Sequence, residues 1–272
     1  MVAAPSSSGR SELLGRVLVG APALAVAIVF VWLGGVALVI ALALLAGACL
    51  YELFRLYDAQ KPAWPAALVA VGALLAAAQW GGYQQLLLAT IAAIPLTFLV
   101  SLFVSRGGTV GIALTLLGIL WIGLALAHAV LLRRLPHGEG IVFVVIAGTF
   151  IGDSAAYLGG RALGRHKLAA TISPNKTVEG LLIGMAAAVL SVWAASRFES
   201  WLHGGDALLL GLGVAIAAPL GDLFESYIKR DAGTKDTGRL FGAHGGALDR
   251  LDAVLFTAVA GYYIWHAILV AG

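Results

Sequence analysis

Asp222, Glu225, Ser226 and Lys229 are spaced i, i+3, i+4 and i+7. On a helix they form one stripe, with two carboxylates and a hydroxyl below an ammonium group. At 1.5 Å per residue, the acid at the foot of that stripe lies about 10 Å from the lysine at its head. A second pair of acids, Asp249 and Asp252, stands where the next apolar run begins. Carboxylate oxygens gathered in this way suit a hard cation. Mg2+ in particular takes one or two protein carboxylates and completes its octahedron with water and substrate phosphate. Lys229, Arg230, Lys235, Arg239 and Arg250 share the stretch and supply positive charge for phosphate oxygens. A metal with several cations is the equipment of phosphoryl or nucleotidyl transfer, where positioning and charge neutralisation carry the rate. Gly245 and Gly246, beside a helix start, let backbone N–H groups approach a phosphate with no Cβ in the way. Plainer roles compete: Asp249 or Asp252 can cap the helix they begin, and basic residues beside a membrane attract anionic lipid without chemistry.

Asp153 lies inside another apolar run, followed at helical spacing by Tyr157, Gly160 and Gly164. An acid at membrane depth costs about 2.5–3.5 kcal/mol even on insertion scales, so Asp153 and Asp222 each need a polar cavity or a paired cation. Pairing with a buried Lys or Arg as structural glue is the simpler alternative for either. The polar loop that follows holds Arg161, Arg165, His166 and Lys167, then Ser173-Pro174-Asn175-Lys176-Thr177-Val178-Glu179-Gly180. Ser173 with Pro174 and Thr177 has the form of a helix start, with Glu179 in its first turn; a phosphate-binding role for Ser173 is compatible with that. Lys176 has no capping role, which makes it a binding candidate. His128, His137, His166, His203 and His266 show no metal-ligand spacing.

The elements that must position these residues are membrane helices. Of the 272 residues, 61% are hydrophobic and 11% charged, with a mean hydropathy of +0.96; a soluble domain is roughly 25% charged. A spanning helix needs about 20 apolar residues. Runs at 17–33, 35–56, 64–80, 84–104, 109–131, 140–160, 177–196, 207–228 and 251–271 therefore predict an all-α, polytopic helical membrane protein of about nine transmembrane helices. Residues 1–16 are expected as a cytoplasmic tail, 17–136 as the N-terminal helices and 137–272 as the C-terminal helices carrying the site. The apolar stretch 17–51 exceeds the roughly 7–15 residues of a secretory signal core. All 17 Lys and Arg residues except Arg133, Arg134 and Arg197 fall on the side of the N-terminal tail, which the positive-inside rule makes cytoplasmic. Glu52, Arg55, Asp58 and Lys61 mark an exit to water on that side. The single Cys49 allows no intrachain disulfide. A net charge of +3 without a basic tail argues against nucleic acid as a partner.

Ser226-x-x-Lys229-Arg230, then Lys235-Asp236, then His244-Gly245-Gly246-x-x-Asp249-Arg250-x-Asp252 resembles the signature of the phosphatidate cytidylyltransferases, the bacterial CDP-diacylglycerol synthases. Asp153 to Tyr157 with the following glycines, and Ser173 to Gly180, are similar to further blocks of that family. The likeness covers the C-terminal half; the N-terminal half shares only its apolar helices, and Gly242 stands where members often carry Pro. The resemblance implies transfer of CMP from CTP to phosphatidic acid, giving CDP-diacylglycerol and pyrophosphate in phospholipid biosynthesis. It also implies a Mg2+ requirement and a place in the cell inner (plasma) membrane, with the active site facing the cytoplasm. The catalytic set it implies is Asp222, Asp249, Lys229, Arg230, Lys235, His244 and Arg250. The substrate-binding set is Ser173, Asn175, Lys176, Ser226, Arg239, Gly245 and Gly246. The metal set is Asp222, Asp249 and Asp153, with room for a second, monovalent cation. CTP, phosphatidic acid and membrane lipid are the implied partners, and a homodimer is one assembly left open. Two other readings stand beside it: a CTP-dependent cytidylyltransferase for another lipid phosphate, and an ion-coupled transporter, since buried carboxylates also mark ion pathways.

Overall fold

The computed structural model describes residues 25–238 and 245–271. Residues 25–33 are helical, and the chain then turns through Gly34 and Gly35, whose φ angles of 60° and 51° lie in the region that side chains resist. The helices that follow are α1 (Gly35–Leu56), α2 (Trp64–Trp80), α3 (Tyr83–Ser105), α4 (Gly108–Arg134), α5 (Gly138–Leu163), α6 (Val178–Ala195), α7 (Gly204–Asp231) and α8 (Leu248–Ala271). Among the described residues, seven of these are long and apolar enough to cross a bilayer, and α2 is apolar but has 17 residues. The chain is all-α in class, with the helices of a multi-pass membrane protein. Several helices run past the apolar stretches that predict them, taking in Arg133 and Arg134, Arg161, Lys229 and Arg230, and Asp249. Polar residues extend a helix wherever caps or water satisfy its ends.

The polar loop between α5 and α6 holds an element that apolar periodicity does not predict. Lys167–Ala169 (β1) and Ser173–Thr177 (β2) pair antiparallel, with Lys167 opposite Thr177 and Ala169 opposite Ser173. This ribbon corrects the expected helix start at Ser173, which lies on β2. The cap of α6 is Thr177, in extended conformation, whose hydroxyl accepts the Gly180 N–H at 3.1 Å. Glu179 does sit in the first turn, and its carboxylate accepts the N–H groups of Arg165 and His166 at 3.0 and 3.2 Å. It thereby ties the start of the ribbon to α6.

Small residues set the closest approaches between helices. A Cβ at Gly184 would lie 2.6 Å from that of Ala156, and one at Gly180 would lie 2.7 Å from the Ala156 carbonyl oxygen. α5 and α6 are thus nearly in backbone contact. α7 and α8 meet in the same way at Gly221, where a Cβ would collide with the Asp252 carbonyl. α8 also packs on α4 and α5, so both halves of the chain share a core that includes Leu50, Leu74, Ile122, Leu132, Leu210 and Leu255.

The two ends of the bundle differ. At one end Arg133 donates to the Val31 carbonyl and pairs with Glu139 at 2.9 Å, Arg134 donates to the Ala78 carbonyl, and His137 stacks on Trp201. Trp and Arg at helix ends suit a membrane–water boundary. At the other end the C-terminal ends of α1 and α7, the ribbon and the N-terminal ends of α6 and α8 converge. Tyr57 donates to Asp231 at 2.8 Å, and Arg230 Nε donates to the Ile172 carbonyl at 3.1 Å. Burial, and then the bond to Asp231, push the Tyr57 hydroxyl above its ordinary pKa, so it remains a donor and the clamp between α1 and α7 holds across the neutral range.

Candidate active site

Lys229 occupies the last turn of α7, with its side chain 14% exposed, between two acids. Glu225, one turn below on the same helix and fully buried, lies 2.5 Å away, and Asp249 Oδ1, in the first turn of α8, lies 2.7 Å away. Burying one ammonium group against two carboxylates is tolerable because each charge offsets the desolvation of the others. The stripe read from spacing is therefore real, and it leads from α7 across to α8.

Asp249 is fully engaged. Besides Lys229 it accepts the N–H and hydroxyl of Thr237, both at 3.0 Å, and the Gly246 N–H at 2.8 Å. Those contacts fill the roughly four acceptor positions of a carboxylate. The N–H of Gly246, open to phosphate in the sequence reading, is thus taken by the chain itself. The absence of a side chain at Gly246 has another cause: a Cβ there would collide with the carboxylate of Glu52. Gly245, with φ 81°, is in the left-handed region and makes the turn into α8.

Glu52 is the residue that sequence reasoning misplaces. Arg55, Asp58 and Lys61 are exposed as expected of an exit to water, but Glu52 is 4% exposed. Its carboxylate accepts the N–H groups of Ala247 and Leu248, each at 2.9 Å, and lies 3.1 Å from the Thr237 hydroxyl, whose one proton it shares with Asp249. An acid on α1 therefore satisfies the open N-terminus of α8, which would otherwise be available to an anion.

A second carboxylate group lies deeper. Lys176 of β2 pairs with Asp222, and the Ser226 hydroxyl is 3.5 Å from the same carboxylate. Asp222 is within electrostatic range of Asp153 on α5, and Asp252 on α8 is within range of both. Gly221 makes this possible by letting α8 approach α7 at that level. Asp153 also borders a narrow crevice with Gly184, Ala188 and Pro219. The spacing of Asp249 and Asp252 leaves open which is cap and which is ligand. In the structure Asp249 ties down the loop and Asp252 joins Asp222 and Asp153.

The remaining candidates are spread around this centre. Arg230 braces the ribbon and also donates to the Thr234 carbonyl at 3.0 Å. Lys235, Asn175 and Arg250 are exposed, and Ser173 is partly exposed on β2. Arg239 and His244 lie outside the described residues. Among the described residues, no three His, Cys, Asp or Glu side chains form a cluster able to hold a metal by themselves. Asp153, Asp222 and Asp252 still offer hard oxygen donors that repel one another. That donor set fits a divalent ion taking one or two protein carboxylates and completing its shell elsewhere.

Residues 14–268 match the Cytidylyltransferase family. An uncharacterized protein of Escherichia coli (strain K12), YnbB, is 40% identical over 144 residues, which is 51% of this chain and 48% of the relative. The phosphatidate cytidylyltransferase of Synechocystis sp. is 42% identical over 132 residues, 48% of this chain and 45% of the relative. That of Brucella suis is 41% identical over 144 residues, 53% of each chain. The chain thus spans about half the length of these curated relatives.

Proposed function

The chain belongs to the cytidylyltransferase family, and on that premise we propose that it transfers CMP from CTP to phosphatidic acid, releasing pyrophosphate and forming CDP-diacylglycerol for phospholipid biosynthesis. The observation that carries this reading is the convergence at one end of a membrane bundle of two lysines, Lys176 and Lys229, with acids from α5, α7 and α8. One substrate is a soluble polyanion and the other a lipid whose phosphate sits at the bilayer surface, so chemistry at a helix-bundle end serves both.

A phosphate oxygen of phosphatidic acid attacks the α-phosphorus of CTP. As that P–O bond forms, the bond from the α-phosphorus to the bridging oxygen breaks, and its electron pair leaves with pyrophosphate. The attacking oxygen is already anionic at neutral pH, so orientation and charge neutralisation matter more than a strong base. Lys176 and Lys229 neutralise phosphate oxygens near the reacting centre. Lys235 and Arg250 face the incoming nucleotide, with Arg239 and His244 assigned there by the family signature. Ser173, Asn175 and Ser226 supply hydrogen bonds to the substrates, and Arg230 holds the ribbon that carries Lys176.

Asp222 and Asp153 are the residues that would hold Mg2+, with Asp249 joining them if it exchanges one of its present partners. Bound there, Mg2+ would neutralise phosphate charge and polarise the reacting phosphoryl group. Negative charge in excess of the two lysines also leaves room for a monovalent cation. The same reading counts the apolar run 17–33 and α2 with the seven long helices as nine crossings, with the N-terminus and the site on the cytoplasmic side of the cell inner membrane.

Purified protein supplied with nucleotide-labelled CTP and phosphatidic acid should move label to the lipid when Mg2+ is present and stop when it is chelated. Absence of lipid-borne label with Mg2+ present overturns the proposal. Ion or substrate flux in proteoliposomes without such transfer would make the chain a transporter instead.

A further inference from the structure

We propose that an apolar groove between α4, α7 and α8 holds an acyl chain of the lipid substrate, an inference that rests on the acceptor being a membrane lipid phosphate. The groove has a volume of about 610 Å³, within the roughly 300–1,000 Å³ typical of ligand sites. Its walls are apolar throughout, with Trp121 from α4, Leu220 and Phe224 from α7, and Phe256 and Ala260 from α8. Its rim opens sideways, because Leu120, Ile216 and Leu220 are each about half exposed on the face that a bilayer would cover.

The groove runs along the two helices, α7 and α8, that carry the acidic site. Asp249, Asp252, Phe256 and Ala260 follow one another at three- and four-residue steps and so share one stripe of α8. Phe256 lies about 6 Å along the helix from Asp252. On α7, Phe224 immediately precedes Glu225, meets Trp121 edge-on at 4.8 Å and lies 5.7 Å from the ring of Phe256. Phe224 thus joins Trp121 and Phe256 in the groove wall at its end nearest the charged site. At the far end Gly213 lets α7 close on Ile264, with which a Cβ would collide. From Phe224 to Gly213 the groove thus runs about 16 Å.

The two ends select the occupant. One end adjoins the site where the lipid phosphate would react, with Lys176 and Lys229 held among carboxylates whose excess charge a divalent ion would offset, and the other is an apolar slot whose rim opens toward lipid. An amphiphile with an anionic head and an extended tail satisfies both ends. A second copy of the chain would cover the rim and leave the polar end unexplained.

The test begins with phosphatidic acid carrying a photoreactive diazirine at the end of one acyl chain, photolysed with the unsubstituted protein in nanodiscs. Labelled peptides from α7 and α8 around Ala217 and Ala260 are expected, and labelling confined to other helices overturns the proposal. In parallel, Ala217→Phe and Ala260→Phe each place a ring in the slot. The ratio of kcat/KM for dioleoyl over dioctanoyl phosphatidic acid should fall roughly tenfold, equivalent to lost apolar contact for about two methylenes. An unchanged ratio overturns the proposal. So does equal loss on both lipids together with a shift from dimer to monomer in size exclusion, which would make the groove a contact between copies. If the substituted chains do not fold, the photolabelling decides. If the unsubstituted chain moves CMP to no lipid, the proposed function fails while the labelling still judges the groove.

Discussion

Glu52 on α1 and Leu248 at the start of α8 are 196 residues apart in the chain and joined by a 2.9 Å hydrogen bond from the Leu248 N–H to the Glu52 carboxylate. The first N–H groups of a helix lack intrahelical partners and carry partial positive charge, so a buried carboxylate is favoured there. The helix that Glu52 caps is the one presenting Asp249 and Asp252. The N-terminal half of the molecule thus fixes the height and direction of acids belonging to the other half.

Removing that cap should loosen the site as well as the fold. Glu52→Ala leaves the Ala247 and Leu248 N–H groups buried without their acceptor, while the Thr237 hydroxyl keeps Asp249, and is expected to destabilise the protein by about 2–4 kcal/mol. Glu52→Gln keeps one acceptor oxygen and should cost less. Thermal unfolding in detergent ranks the two, and an Ala variant as stable as the parent would show that the contact contributes nothing.

Lys229 offers a sharper test, because its loss leaves Glu225 and Asp249 buried without their shared cation. Breaking a buried ion pair from one side costs about 3–5 kcal/mol, so Lys229→Met should be poorly folded. Adding Glu225→Gln removes one of the stranded charges and should recover much of the folded yield, read by size exclusion, while turnover stays lost. Recovery of turnover would remove Lys229 from the chemistry.

The parts legible in the sequence are those enforced over short distances. In a bilayer each span must satisfy its own backbone hydrogen bonds, so long apolar runs announce helices. The pairing of Glu225 with Lys229 follows from i, i+4 spacing alone. Glu52 was not legible, since an acid ending an apolar run looks the same whether it meets water or a helix start 196 residues away. The ribbon was hidden because strands of three and five residues in a polar loop show no apolar alternation. The division between Asp249 and Asp252 depends on Gly221, whose missing side chain sets how near α7 and α8 come.

Asp222 and Asp249 should fail differently. Asp222→Asn alters a carboxylate paired with Lys176 and should abolish Mg2+-dependent turnover with little change in folding. Asp249→Asn also gives up the anchor for the amides of Thr237 and Gly246. Hydrogen exchange at those two amides should accelerate in Asp249→Asn and stay at the parental rate in Asp222→Asn. Near-normal turnover in either variant would remove that residue from the site.

Asp252 bears on the proposed cation most directly, because its charge adds to the field at Asp222 and Asp153. If Mg2+ binds those two, a neutral residue one turn below Asp249 should weaken the ion without removing a principal ligand. Asp252→Asn is therefore expected to raise the Mg2+ concentration for half-maximal binding by roughly 10- to 100-fold, the usual cost of losing a supporting group around a metal. Calorimetric titration with Mg2+ reads this without turnover, and saturating Mg2+ should restore part of the rate. Equal affinity in the variant and the parent would place the ion away from this trio and leave Asp249, once released from Lys229, as the acid to test next.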